Sequence, residues 1–317
     1  MPNIITHYLF AAQVKSTLQS KKLLTAINRY PHEFIIGSNG PDFLFFYKYF
    51  SKQARAVEIR ELGNLFHSSH INDFYQIALT AVKNERDEAL RSGMMSYVAG
   101  HLCHWALDST AHPYIFYRTG DCQGQSASWH HRFESMLDTM MLKKILNTDV
   151  KAYDYPKLAS RGVQSVEIIA KIYCPIIQEV FKMSVTTKEI QDALSDWEFL
   201  QKVLHDPHRV KFTLLKPFEK AVRHPWLFSG NVVPVKIDPT YDVLNEAHTL
   251  WKYPADPHRT SHESFMELFD KAVILANEVI MNMDDVDKCL HLLDNRTYDS
   301  GVQPGVKMVE FDCIYEK

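Results

Sequence analysis

The sequence predicts an all-α protein with a long irregular segment toward its C-terminal end. Three observations carry this. Apolar residues recur at three- and four-residue intervals through most of the first 222 residues and again from Phe265. The strand–helix alternation of a parallel sheet is absent, and so are the GxGxxG and GxxxxGK phosphate-loop patterns. Residues 223–262 break the helical pattern with Pro225, Pro234, Pro239, Pro254 and Pro257. The expected organisation is a helical core over 1–222, with an aromatic, proline-rich loop and a C-terminal helix over 223–317 packed on the same body.

Taken in order, residues 10–28 show a weak amphipathic pattern, and Gly37, Gly40 and Pro41 force a turn within 31–50. A helix is expected over about 70–92, carrying Phe74, Ile77, Ala78, Ala81 and Val82. A second runs over about 93–112, and Pro113 is expected to close it. Residues 115–127, with Gly120 and Gly124, read as a loop before a helix over about 128–145. An apolar stretch at 164–182 is interrupted by Pro175, and 186–222 reads as two helices separated by His205-Asp206-Pro207. Within 223–262 one short strand is expected near Val232 to Ile237, and Thr260 with Glu263 reads as a capping box for the helix that follows. The tail after about 294 reads as irregular.

Composition narrows the function classes. The chain has 317 residues, 46% apolar and 23% charged, with a net charge of −3. No basic excess supports a long nucleic-acid groove, so no stable nucleic-acid complex is expected. The five cysteines are scattered, without a CxxC pair, which argues against a zinc ribbon or a disulfide framework. No secretory signal is visible at the start, and no run approaches the length of a transmembrane helix. The expectation is a cytoplasmic location. Histidine is the unusual residue: there are 16, nine of them within the first 131 positions.

His101, His104, Asp108 and His112 fall on one stripe about 80° wide when wound at helical pitch. Their neighbours, among them Val98, Leu102, Trp105 and Leu107, are apolar. Such a stripe is a solvated face, a buried polar network or a metal site. Three imidazoles and a carboxylate in so apolar a helix favour metal. His130 and Glu134, four apart, can clamp one ion from a second helix. His7, Asp42 after Gly40-Pro41, His67 and His70 add further nitrogen and oxygen donors. Imidazole with carboxylate and no thiolate points to a catalytic zinc cluster of two or three ions.

These stretches resemble the zinc-dependent phospholipase C family, which is related in fold to the P1-type nucleases. The resemblance rests on Thr6-His7-Tyr8, Ile36-Gly37-Ser38-Asn39-Gly40-Pro41-Asp42-Phe43 and Leu62-Gly63 with His67. It continues through Gly100-His101, His104, Asp108 and His112-Pro113 to His130 and Glu134. It implies a multi-helix body around a zinc cluster. Asp42, His67, His104 and Asp108 correspond to ligands of a first zinc, and His112, His130 and Glu134 to those of a second. His7, with Asp108 bridging, corresponds to a third. Secreted members hold that third ion partly through a processed N-terminal tryptophan, whereas this sequence begins Met1-Pro2. His101 and Arg118 are expected to support the ligands or the substrate phosphate. The implied activity is phosphodiester hydrolysis, with metal-activated water attacking phosphorus and Asp42 serving as base as well as ligand. The expected substrate is a small-molecule or lipid phosphodiester, with transient membrane contact. A single-strand-acting zinc nuclease and a non-catalytic zinc-binding member are the alternatives. Trp226, Tyr241, Trp251 and Tyr253 are expected to wall the cleft. The run Phe43 to Tyr47 reads either as core or as a rim where lipid enters.

Overall fold

In a computed structural model of the chain, residues 4–237 and 240–313 are described. Twelve α-helices and one two-stranded sheet form the regular structure among them. The first stretch divides into α1 (Ile4–Thr17) and α2 (Lys21–Arg29), because the Ser20 side chain accepts the Leu23 N–H and starts a new helix. α3 (Pro31–Gly37) begins on proline, which needs no partner for its missing N–H at that position. A 3₁₀ turn, Asp42–Phe46, follows. Then come α4 (Ala54–Ser68) and α5 (Ile71–Asn84).

The centre of the fold is α6 (Glu88–Thr119), 32 residues long and buried around nearly its whole circumference from Gly93 onward. It starts earlier than the apolar pattern suggested, because Asp87 accepts the Leu90 N–H and caps it. It also runs past Pro113. A proline inside a helix costs about 3 kcal/mol, but here the turns on both sides of Pro113 are held by core packing. Gly301 sits so close to the Ser109 carbonyl, the acceptor that Pro113 leaves without its usual donor, that a β-carbon there would lie 2.2 Å from the oxygen. The loop is accordingly shorter than expected, and α7 (Gln125–Leu146) begins after Gly124.

α8 (Ser165–Phe181) likewise continues through Pro175. α9 (Thr187–Leu204) opens on a Thr186–Glu189 capping box, and α10 (Val210–Ala221) follows the turn at Asp206-Pro207. No strand forms at Val232 to Ile237. The hairpin is instead β1 (Trp251–Tyr253) with β2 (Asp256–Ser261), antiparallel, Trp251 opposite Ser261. Thr260 belongs to β2, and the capping box lies one turn later, at Ser264 and Glu267, opening α11 (Phe265–Met281). α12 (Val286–Leu293), capped by Asp285, occupies part of the C-terminal region.

One apolar cluster runs from Ile4 to Tyr298, with α11 packed along α6. The Trp251 ring lies 5.5 Å from that of Tyr114 and is 1% exposed, so Trp251 belongs to this core and not to a cleft wall. Tyr253 is also buried, whereas Trp226 and Tyr241 line a separate small cavity beside Met136. Among the described residues no helix is long and apolar enough to cross a membrane.

Candidate metal centre

Four segments converge with His67 of α4 into one cluster. The first is set by a contact between backbones. A β-carbon at Gly37 would stand 2.2 Å from the Tyr97 carbonyl oxygen, and one at Gly100 would stand 2.2 Å from that of Phe34. Glycine at both positions lets α3 cross α6 at the closest approach. The turn that follows therefore lies directly over α6, and Gly40, at φ 51°, rests on the His104 ring. Asp42 is thereby carried to 3.8 Å from His104 Nε2 and 3.2 Å from His67 Nε2.

The second segment is α6 itself, which presents His104, Asp108 and His112 at successive four-residue steps. His104 Nε2 is 3.1 Å from Asp108 Oδ2, and His112 Nε2 is 3.5 Å from Asp108 Oδ1. The third is the first turn of α1. The Asp138 carboxylate accepts from the Ile5 N–H and from the N–H and hydroxyl of Thr6. This caps α1 from α7 and brings His7 Nε2 to 3.3 Å from Asp108 Oδ1. The fourth is α7, where His130 Nε2 and His112 Nε2 lie 3.2 and 3.5 Å from Glu134 Oε1.

All eight side chains are buried. Three sets have their donor atoms within 4.8 Å of one another: His7, Asp42 and His104; His67, His104 and Asp108; and His112, His130 and Glu134. The spacing suits zinc. Two ligand atoms about 2.05 Å from one tetrahedral ion are about 3.3 Å apart. Several separations here, at 3.3 to 3.5 Å, exceed the usual N–H···O range and match that edge. The hydrogen-bond inventory agrees. Asp42 Oδ1, both His112 nitrogens, His130 Nε2 and both Glu134 oxygens are buried without a hydrogen-bond partner. Leaving such groups unpaired costs about 1–3 kcal/mol each. The donor set therefore fits zinc.

Outer contacts fix the tautomers. His67 Nδ1 lies 2.7 Å from the Gly63 carbonyl, which only an N–H can satisfy, so in the neutral ring Nε2 carries the lone pair. The Thr119 hydroxyl donates to the Ile115 carbonyl, leaving its oxygen to accept His130 Nδ1–H at 3.1 Å. Burial holds His7 down at about 4, and burial with the neighbouring His7 and His67 holds His104 well below its ordinary range. Both are neutral near pH 7, as a metal ligand must be. Burial pushes Asp108 up to about 8. Burial opposes charge on His112, but Asp108 and Glu134 outweigh it and raise that imidazole to about 9. Protons thus neutralise the cluster in the metal-free chain.

His101 shares the stripe but not the cluster. Its Nδ1 lies 2.8 Å from the Tyr75 hydroxyl and its Nε2 3.1 Å from that of Tyr173, while its ring stacks on Phe74. Neither nitrogen is left for an ion. Arg118 is about 120° around α6 from His112, and it pairs with Asp312 at 3.7 Å. His70 is exposed and bound to Asp73. The run Phe43 to Tyr47 divides: Phe43, Leu44, Phe46 and Tyr47 are core, while the half-buried Phe45 packs on His67 with ring centroids 5.5 Å apart.

Two residues at the site had no signal in the sequence. The Tyr298 ring lies 5.1 Å from His67 and 5.4 Å from His104, and its N–H donates to the His67 carbonyl. Asp299 beside it is half-buried, and its charge helps to raise His67 and His112. Both sit in the tail read as irregular, where no spacing links them to a helix face.

No curated protein and no solved structure matches the chain. A family profile described as zinc dependent phospholipase C matches residues 6–176, the segment that holds all eight clustered side chains. That is more than half of the 317 residues, and the chain belongs to the zinc-dependent phospholipase C family.

Proposed function

We propose that the chain is a zinc-dependent phosphodiester hydrolase of the phospholipase C type. The observation that supports this most is the convergence of buried, unpartnered donor atoms from α6, α7 and the Asp42 turn. In this reading Asp42, His67, His104 and Asp108 hold one ion, and His112, His130 and Glu134 hold a second. His7 with Asp108 offers a further position. When bound, zinc supplies Lewis-acid neutralisation of a phosphodiester and lowers the pKa of water.

The chain's own residues do the rest. His67 and His130 are fixed in one tautomer by Gly63 and Thr119, so they cost little reorganisation when they bind. Asp42, held by the Gly40-Pro41 turn, receives the proton of the attacking water at its carboxylate. The water oxygen bonds to phosphorus as the bond to the leaving alkoxide breaks, and that oxygen takes a proton from solvent. His101, clamped by Tyr75 and Tyr173, buttresses the ring of His104, with centroids 6.5 Å apart.

The test is hydrolysis of bis(p-nitrophenyl) phosphate by the zinc-loaded chain, by the chelated chain and by the chain reloaded with zinc. Turnover that disappears with chelation and returns with zinc is expected. A chain with its zinc sites filled that leaves the diester intact overturns the hydrolase reading.

A further inference from the structure

The imidazoles of the cluster are not held alike. His67 Nδ1 is fixed by the Gly63 carbonyl and His130 Nδ1 by the Thr119 hydroxyl. Outer partners of this kind orient a metal-binding imidazole in most such sites. Among the described residues His104 has none. Its Nδ1 lies 3.3 Å from His7 Nδ1, and its Nε2 lies 3.4 Å from His67 Nε2 and 3.1 Å from Asp108 Oδ2. Both nitrogens face other members of the cluster, so packing must set the plane of the ring. Gly40 rests against one part of it. Of the rings around it, those of His7 and His67 belong to the cluster, at 4.3 and 5.6 Å between centroids, and that of His101 lies 6.5 Å off. The Tyr298 ring stands 5.4 Å away and is the closest from outside the cluster among the described residues. It also lies 5.1 Å from the ring of His67. One side chain thus packs on two imidazoles of the first ion, that of Asp42, His67, His104 and Asp108.

Tyr298 is itself firmly held. It is buried, its N–H donates to the His67 carbonyl at 2.9 Å, and its hydroxyl lies 3.0 Å from that of Tyr75, which in turn meets His101. The backbone around it is pinned to α5 and α6 as well. Asn295 and Asn72 of α5 each accept the other's backbone N–H on a side-chain oxygen, at 3.0 Å both ways. The Trp105 indole of α6 donates to the Arg296 carbonyl at 2.8 Å. Gly301, at φ 65°, lies against the Ser109 carbonyl, and its N–H closes the turn on the Thr297 carbonyl. A side chain locked in this way can orient its neighbours at little further entropic cost. Around the second ion's ligands the ring contacts come from Phe116 instead. The whole segment lies outside residues 6–176, which match the family profile.

We propose that Tyr298 is the positioning residue of the first ion, its ring setting the planes of His104 and His67 by packing. For His104 it does what an outer hydrogen bond does for His67 and His130. The Tyr75 hydroxyl and the His67 carbonyl in turn keep the Tyr298 ring in place. The tail after α12 is therefore a working part of the centre. The proposal rests on the zinc reading of the cluster and is independent of the reaction performed there.

The experiment is zinc content of the full chain by native mass spectrometry, at free zinc fixed with a chelating buffer. The variants are Tyr298→Phe, Tyr298→Leu and Tyr298→Met, each alone and combined with Glu134→Gln, which disables the second ion's site. Phenylalanine keeps the ring and loses only the hydroxyl. Leucine and methionine fill much of the space without a ring, and either suffices if the other does not fold. The two ringless variants should bind the first ion on the order of tenfold more weakly and the second as the parent does. At free zinc that just fills the parent, each should carry one ion fewer than the parent, and its combination with Glu134→Gln one fewer than Glu134→Gln alone. Tyr298→Phe should keep the parent's count. A general loosening of the fold would weaken both ions and would not be repaired by phenylalanine. Ringless variants that hold zinc as the parent does, or that lose both ions alike, overturn the proposal. So does a Tyr298→Phe that loses as much as they do. A parent that takes up no zinc overturns the zinc reading and this proposal with it. A zinc-loaded parent that cleaves no diester, with the same selective loss in the variants, supports the positioning role and counts against the hydrolase reading alone.

Discussion

Adding zinc to the metal-free chain should release protons in a number the cluster dictates. Near pH 7 the metal-free site holds a proton on Asp108, raised to about 8, and another on His112, raised to about 9, and His67, where burial opposes charge but Asp42 outweighs it and raises the imidazole, carries a share of a third. His7 and His104 are already neutral, the first at about 4 and the second well below its usual value, so they contribute none. Ligation requires the carboxylate and the neutral imidazoles, so roughly two to three protons leave as the ions enter. The sign with pH follows. The raised groups lose their protons as pH passes their folded values, so release falls toward zero by about pH 10 and zinc affinity rises over that span. Binding also stabilises. Zinc at a thousandfold excess over its Kd adds about 4.1 kcal/mol per site. With an unfolding entropy of roughly 0.7 kcal/mol/K for a chain of this length, each site raises Tm by about 6 °C. Calorimetric titration in buffers of different ionisation enthalpy counts the protons, and scanning calorimetry reads the shift. Release of less than about half a proton near pH 7, or a Tm indifferent to zinc, would refute the electrostatic picture of the cluster.

Three substitutions probe its parts. Glu134→Gln keeps the shape but removes the anionic donor shared by His112 and His130. Zinc content measured by mass spectrometry should fall by one ion and diester hydrolysis at least a hundredfold, on the order expected for loss of a catalytic ion. The metal-free variant should be less stable in urea near pH 7, because the protonated His112 loses the carboxylate that faces it in the buried site. Gly40→Ala forces an alanine into φ 51° with its β-carbon 2.2 Å from the His104 ring. Denaturation should show a loss of about 1–2 kcal/mol from the backbone alone, and zinc affinity should drop as His104 is displaced. Asp138→Ala removes the cap on α1. A loss of about 1–3 kcal/mol in urea unfolding is expected, with weaker zinc binding because His7 loses its fixed position.

The parts of the centre that were legible share one physical property: their geometry is local. His104, Asp108 and His112 repeat every four residues, so the helix alone aligns them, and the same holds for His130 and Glu134. Asp42 was visible because Gly40-Pro41 marks a turn, although nothing local says that the turn lies on α6. That depends on Gly37 and Gly100 meeting across two helices. His101 fits the same periodicity as the clustered residues, yet Tyr75 and Tyr173 take both its nitrogens, and a pairing across 72 positions leaves no local trace. Because proline removes a donor, the sequence leads one to expect a helix end at Pro113 and an interruption at Pro175. In α6, buried nearly all round, packing outweighs that loss, and α8 continues past the exposed Pro175 on the apolar face it packs inward. The hairpin at 251–261 was masked by Pro254 and Pro257, and Tyr298 reaches the histidines only through the folded path of the tail.

A crystal structure of the zinc-loaded chain, phased with anomalous scattering at the zinc edge, tests the central claim most directly. The account predicts one peak among Asp42, His67, His104 and Asp108 and a second among His112, His130 and Glu134, each about 2.0–2.2 Å from its nitrogen and oxygen ligands. Zinc-edge density absent from both positions in a chain that contains zinc would contradict it.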